Sequence, residues 1–156
     1  MRPRRPGFSL VELATVVAIM AIMAAIAMPR MAEAAARRDL DAAAQRLVAD
    51  LRHAQQHALA SSTNISVTFN ADSDTYAVAA PDPISNAATY TVDLTAGSAR
   101  VDLHPTTLAT NTATFDANGL ATSSGLVRLA VGRYRCAIAV TAGSLAIDRS
   151  NITYVP

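Results

Sequence analysis

Between Phe8 and Met28 the chain runs for 21 residues with a single charged side chain, Glu12. No other feature restricts the fold so strongly. About 20 apolar residues in an α-helix are needed to cross roughly 30 Å of hydrocarbon. A lone segment can satisfy its own backbone polar groups in lipid only by being helical. A cleaved secretory signal has a shorter apolar core, about 7–15 residues, followed by a small-residue cleavage site. This stretch is longer, and no sharp A-x-A site ends it. Arg2, Arg4 and Arg5 precede it, which places the leading end in the cytoplasm and the rest outside. Ala14, Ala18, Ala21 and Ala25 recur at spacings of three or four. They make a smooth face on which another helix can approach closely.

Glu12 is the anomaly. A carboxylate near the start of a spanning helix costs a few kcal/mol unless something compensates it. An amine is the simplest compensation, and its nearest source is the new N-terminus of a shortened neighbouring copy. The charge balance depends on whether the first seven residues are retained. All 13 basic side chains are arginine. Without the three in the leader, ten face 12 carboxylates, so the remaining body is about −2 and gives no bulk reason to bind nucleic acid.

The stretch "GFSLVELATVVAIMAIMAAIAMP" resembles the class III signal of type IV pilins and pseudopilins. The resemblance runs from Arg5 to Pro29 almost without a break. It implies that a prepilin peptidase cuts after Gly7 and that the new N-terminus, Phe8, is methylated. It also implies that Glu12 pairs with the N-terminal amine of an adjacent subunit during assembly. The division expected is a leader over 1–7, a transmembrane and assembly helix over 8–29, an amphipathic continuation over 30–60, and a periplasmic β-rich domain over 61–156.

Pro29 removes one backbone hydrogen bond and crowds the preceding turn, so a helix kink is expected there. Beyond it Leu40, Ala44, Leu47, Leu51, Ala54 and Ala58 follow spacings of 4, 3, 4, 3 and 4, an apolar stripe of helical period. Ser61 to Asn64 favour a stop near Ala60. The period then changes to two. Ile65, Val67 and Phe69 alternate with polar residues, as do Tyr76 and Val78, then Tyr90, Val92 and Leu94. Val101 with Leu103 follows, then Val127, Leu129 and Val131, then Tyr134, Cys136, Ile138 and Val140, and last Leu145 with Ile147. These predict about seven short strands, mostly antiparallel. Asn118-Gly119 marks a tight turn. The class expected is α+β, a long N-terminal helix packed on antiparallel β-sheets.

This body also resembles a known type. "AAAQRLVADLRHAQQHALASSTNISVTFN" and "TFDANGL…GLVRLAVGRYRCAIAVTAGSLAI" are similar to pilin-like proteins of the GspH/FimT type, over most of Arg37 to Ile147. Members serve as the H-type minor pseudopilin of type II secretion or as minor pilins of type IV pili, and some of the latter bind DNA for uptake. The partners implied are the prepilin peptidase, other major and minor pseudopilins, the inner-membrane secretion platform and the inner membrane itself, crossed once. The secretion branch is favoured by the acidic body.

Four groups of residues invite a chemical reading. In "GRYR" (Gly132 to Arg135) two arginines are expected to share one strand face, with Arg128 and Arg149 near enough to extend a patch. DNA-binding relatives carry a G-R-x-R element, but its register falls on Gly143 to Ala146 here, which holds no arginine. A solvated sheet face is the reading preferred for Arg128, Arg133 and Arg135, with phosphate contact as the alternative. His53 and His57 stand at a spacing that suits Zn²⁺, with His104 as the third candidate ligand. Exposed helix histidines are the simpler account, and no metal or cofactor is expected. Asn70, Asp72 and Asp74 resemble the start of a Ca²⁺ loop, but Thr75 and Pro81 occupy the positions where Gly and Glu are required, so a turn is expected. Cys136 alternates with apolar residues as a small core residue. No nucleophile–base arrangement or phosphate loop is evident, so a structural subunit is expected rather than a membrane-tethered enzyme.

Overall fold

The computed structural model describes residues 9–96, 100–144, 147–150 and 152–155, with the backbone alone at 26–29. The chain divides into two compact units, Met1–Ala35 and Ala36–Pro156, and helix α1, Leu10–Ser61, runs through the boundary. Its helical backbone is uninterrupted at Pro29, so the proline lies within the helix and does not end it.

In the first unit every described side chain is exposed, from Leu10 at 83% to Met31 at 72%. This segment meets the length and composition needed to cross a membrane. In the second unit the six stripe residues Leu40, Ala44, Leu47, Leu51, Ala54 and Ala58 are fully buried. Serine chemistry ends the helix. Ser62 adopts a left-handed φ of 50°, and the Thr63 N–H donates back to the Ala58 carbonyl. That is the Schellman closure, here with serine where glycine is usual.

Two antiparallel sheets close over the stripe. The first contains β1 (Ile65–Asn70), β2 (Thr75–Val78), β3 (Tyr90–Asp93) and β5 (Thr112–Phe115) in the order β3-β2-β1-β5. The second contains β4 (Asp102–His104), β6 (Gly125–Val131), β7 (Tyr134–Val140) and β8 (Ile147–Arg149) in that order, and β9 (Thr153–Tyr154) also pairs with β7. Val67, Phe69, Tyr76 and Phe115 from the first sheet join Leu129, Ile138 and Val140 from the second in one core with the helix stripe. The fold class expected from the sequence is the one observed.

Nine strands occur among the described residues, against about seven expected. The additional ones are β5 and β9. β5 lies inside a stretch whose turn signals, Asn111 and Asn118-Gly119, overshadow four strand residues. β9 is two residues long. Leu145 lies outside the described residues, and Ile147 opens β8.

The Asn118-Gly119 turn is as expected. The Asp116 carboxylate accepts from the N–H groups of Asn118 and Leu120 at 2.9 and 2.8 Å. Gly119 has φ +71°, and a Cβ there would stand 2.7 Å from Leu59 Cγ. The buried Gln55 amide donates to the Gly119 carbonyl at 2.8 Å, so the last turns of α1 pin this loop.

Candidate functional site

Glu12 lies in the first turn of α1 and is exposed. Its carbonyl accepts from the Thr15 hydroxyl at 2.9 Å, but its carboxylate has no hydrogen bond or ion pair among the described residues. Around it Leu10, Val11, Leu13, Val16 and Val17 are exposed apolar side chains. In a bilayer a charge on such a surface costs a few kcal/mol unless an opposite charge meets it. Gly7 and Phe8 lie outside the described residues.

In the body the arginines of "GRYR" separate. Val131 pairs with Tyr134, so Gly132 and Arg133 form a two-residue hairpin turn. Gly132 takes a φ of 54°, the left-handed conformation such turns require at their first position. Arg133 therefore belongs to the turn and does not share a strand face with Arg135, as the sequence suggested. Its guanidinium donates to the Tyr154 hydroxyl at 2.8 Å. Arg135 lies on β7 and donates to the carbonyls of Gly132 and Tyr134 at 2.7 and 3.1 Å. A signal for this turn was present in the sequence. The residues that join the core are odd-numbered in β6 (Val127, Leu129, Val131) and even-numbered in β7 (Cys136, Ile138, Val140), and a two-residue turn accounts for that change of phase.

Arg128 faces out from β6, directly opposite His104 on β4 and Ala137 on β7. With Arg135, Ser150 and Thr153 these residues line a hollow of about 290 Å³ on the outer face of the second sheet. Arg149 does not extend this patch. It registers with the core residue Ile138, and its guanidinium is paired with Asp41 of α1. Of the stretch Gly143 to Ala146, Leu145 and Ala146 lie outside the described residues.

The remaining candidates have local explanations. His53 Nε2 is 2.8 Å from the Pro81 carbonyl and its ring lies beside Tyr90. His57 Nδ1 is buried without a partner among the described residues. His104 belongs to the separate outer-face hollow, so the three histidines do not form one ligand set. The Asn70–Asp74 loop closes as an Asx turn, with the Asp72 N–H on Asn70 Oδ1 at 3.0 Å. Asp74 Oδ1 accepts from the Leu103 N–H at 2.8 Å, and the Asp74 carbonyl accepts from Leu94. Asp74 thereby ties the first hairpin to the strand that begins the second sheet. Cys136 is buried, and burial pushes its thiol pKa up, which disfavours the nucleophilic thiolate.

The polar contact that sequence reading missed is centred on Asp50. Its carboxylate accepts from the hydroxyls of Tyr76 at 2.5 Å and Tyr90 at 3.1 Å, joining α1 to β2 and β3. Burial, then the Asp50 hydrogen bond, pushes the Tyr76 phenol well above its ordinary pKa.

A membrane-compatible helix with an unpaired carboxylate in its first turn, continued into the core of a two-sheet body, defines a membrane-anchored subunit of pilin-like architecture. Residues 43–144 match the family described as type II transport protein GspH, and the chain belongs to that family. Residues 2–28 match the prokaryotic N-terminal methylation motif. The fold is similar to that of the type IV minor pilin FimU of Pseudomonas aeruginosa strain PAO1, with a TM-score of 0.54 and 21% identity over 77% of this chain and 90% of that one. Comparison with curated proteins gives no match.

Proposed function

We propose that the protein is a minor pseudopilin, a structural subunit of the periplasmic pseudopilus of a type II secretion system. In this reading a prepilin peptidase removes Met1 to Gly7 and Phe8 is N-methylated. The helix remains in the inner membrane with the body in the periplasm, and Glu12 accepts the N-terminal amine of an adjacent subunit. Pro29 lets the helix bend as it leaves the membrane. The partners are other major and minor pseudopilins and the inner-membrane secretion platform. The observation that carries the proposal is Glu12 itself, an exposed carboxylate on an apolar helix with no partner among the described residues. Its desolvation in lipid costs a few kcal/mol unless an opposite charge meets it.

The test is Glu12→Ala in the full chain, co-expressed with its neighbouring subunits. Membrane insertion should be retained or improved, and co-purification with those subunits should be lost. Unchanged co-assembly would overturn the role given to Glu12. Gly7→Leu should yield unprocessed protein by mass, and a normally shortened product would place the cut elsewhere.

A second reading, a minor type IV pilin that binds DNA for uptake, is favoured by the likeness to FimU and by the exposed Arg128. It predicts DNA binding by the full chain that weakens steeply with salt and weakens further in Arg133→Ala/Arg135→Ala.

A further inference from the structure

We infer that the outer face of the second sheet receives one carboxylate side chain presented by a protein neighbour. The inference deepens the reading of the body as an assembling subunit and rests on it only for the identity of the neighbour as a protein.

The argument starts from register. On this face His104, Arg128 and Ala137 lie in one row across β4, β6 and β7. The next row is Asp102, Ala130, Arg135 and Thr153. The row on the other side ends in Ala139 and Asp148. Neighbouring strands are about 4.8 Å apart, so the two arginines and His104 converge on the small side chain of Ala137. The hollow of about 290 Å³ opens there, and among the described residues no acidic side chain lines it. Its edge is made where pairing to β7 passes from β8 to β9. At that break the Ser150 hydroxyl accepts from the Ala137 N–H at 2.9 Å.

The cations are differently poised. Arg135 is held in place by its two carbonyl acceptors in the hairpin. Arg128 is exposed, and neither it nor His104 has a side-chain hydrogen bond or ion pair among the described residues. A fixed guanidinium beside an unengaged one suits an anion that accepts from both. Charge-assisted bonds from arginine to carboxylate are the geometry this side chain serves best.

The surroundings select among anions. Asp102 and Asp148 stand at the corners of the same face, so a polyanion extended across it meets a negative charge on either side. Single-stranded nucleic acid also relies on stacking of successive bases on aromatic side chains, and among the described residues no Phe, Tyr or Trp lines the hollow, His104 being its one aromatic ring. The nearby Tyr134 and Tyr154 pack edge to face on each other, 5.6 Å between centroids. A single localised carboxylate, as on an Asp or Glu of a folded neighbour, meets the central cations without reaching the corners.

The test uses the full chain in a nonionic detergent with ¹⁵N-labelled arginine and histidine. The side-chain resonances of Arg128, Arg135 and His104 are followed by NMR as acetyl-Gly-Glu-Gly-amide is added. Its Gln counterpart and a 12-nucleotide single-stranded DNA are added in parallel. The Glu peptide should move these resonances with an affinity at least about tenfold above that of the Gln peptide, the margin expected for a charged over a neutral acceptor. Arg128→Gln should remove at least that tenfold, whereas Arg52→Gln, an exposed arginine on α1, should leave it unchanged. Equal response to the Glu and Gln peptides, or a response that survives Arg128→Gln, overturns the inference. Tighter, salt-steep binding of the oligonucleotide at these residues also overturns it and assigns the face to nucleic acid. None of these readouts involves Glu12 or filament formation, so this inference and the assembly role can fail independently.

Discussion

Replacing Asp50 by alanine probes the contact that joins helix to sheet by polar means. Asp50 accepts from Tyr76 and Tyr90 and lies 3.9 Å from the largely exposed Arg46 guanidinium. Tyr76 is 1% exposed, so its hydroxyl loses the Asp50 acceptor with little water to replace it, at about 1–3 kcal/mol. Tyr90 is partly exposed and can turn to solvent, so its loss adds about 0.5–1 kcal/mol. The Arg46 pair is at the surface and adds a few tenths of a kcal/mol at most. The expected destabilisation is therefore about 2–4 kcal/mol. Tyr76→Phe should cost less, about 1–2 kcal/mol, because the partly exposed Asp50 keeps Tyr90 and gains water. The two changes should not add, since they remove the same bond.

Pulse proteolysis of the full chain in detergent across a urea series gives both values. Asp50→Ala within 0.5 kcal/mol of the parent, or Tyr76→Phe costing more than Asp50→Ala, would refute the reasoning. The same assay against pH adds a signed check. Tyr76 holds its proton in the folded state to higher pH than in the unfolded chain. Its contribution is therefore fully present below about pH 10 and falls as pH rises above that, by up to about 1.4 kcal/mol per unit. Burial is the largest cause of the shift, so most of this alkaline slope should survive Asp50→Ala. Tyr76→Phe should remove only its own share of the slope, because burial, then Asp50, also raises the partly exposed Tyr90 phenol.

Gly119→Ala should destabilise the body by about 1–2 kcal/mol for the left-handed φ alone. Adding Leu59→Ala should relieve the contact with the new Cβ but not that remainder, and an unaffected urea midpoint in Gly119→Ala would refute the conformational argument. Arg149→Ala, which breaks an exposed pair with Asp41, should cost no more than about 1 kcal/mol, and the cost should shrink in 1 M salt. Deleting residues 1–35 should leave the urea midpoint of the body unchanged, because its buried core begins at Leu40. A body that fails to fold without them would show that the first unit contributes to it.

Apolar periodicity was legible in the sequence because burial writes it there. The stripe from Leu40 to Ala58 lines one helix face, and all six of its residues are fully buried. The alternation in Ile65, Val67 and Phe69 likewise marks the inner face of β1. Polar contacts between distant residues leave no such period. Asp50 and Tyr76 are 26 positions apart, and nothing local distinguishes that aspartate from any exposed helix carboxylate. The arginines required a further step. Which face Arg133 and Arg135 occupy depends on strand register, and a one-residue error moves every side chain to the opposite face. Reading "GRYR" as strand alone placed both arginines together. Placing the turn at Gly132-Arg133 separates them and brings Arg135 toward Arg128 instead.

The helix poses one requirement twice and answers it in two ways. From Ala36 onward an apolar face is needed on one side only, and the 4-3-4-3-4 spacing supplies it against the sheets. Before Ala36 no described residue is buried by the chain itself, and the exposed apolar side chains lie on more than one face of the helix. Lipid or neighbouring helices must cover them, and the small residues Ala14, Ala18, Ala21 and Ala25 favour close helix neighbours. Within the apolar run from Phe8 to Met28, Glu12 is the one charged side chain, which lipid cannot satisfy at low cost. In the proposed assembly its position, rather than its presence, would carry the specificity. Apolar packing between smooth helices tolerates sliding, whereas an ion pair at a fixed place on each helix admits one register. On that proposal the energetic cost of placing a carboxylate there would also make it selective, since a neighbour offset by a single helical turn, about 5.4 Å, would leave the charge unmatched.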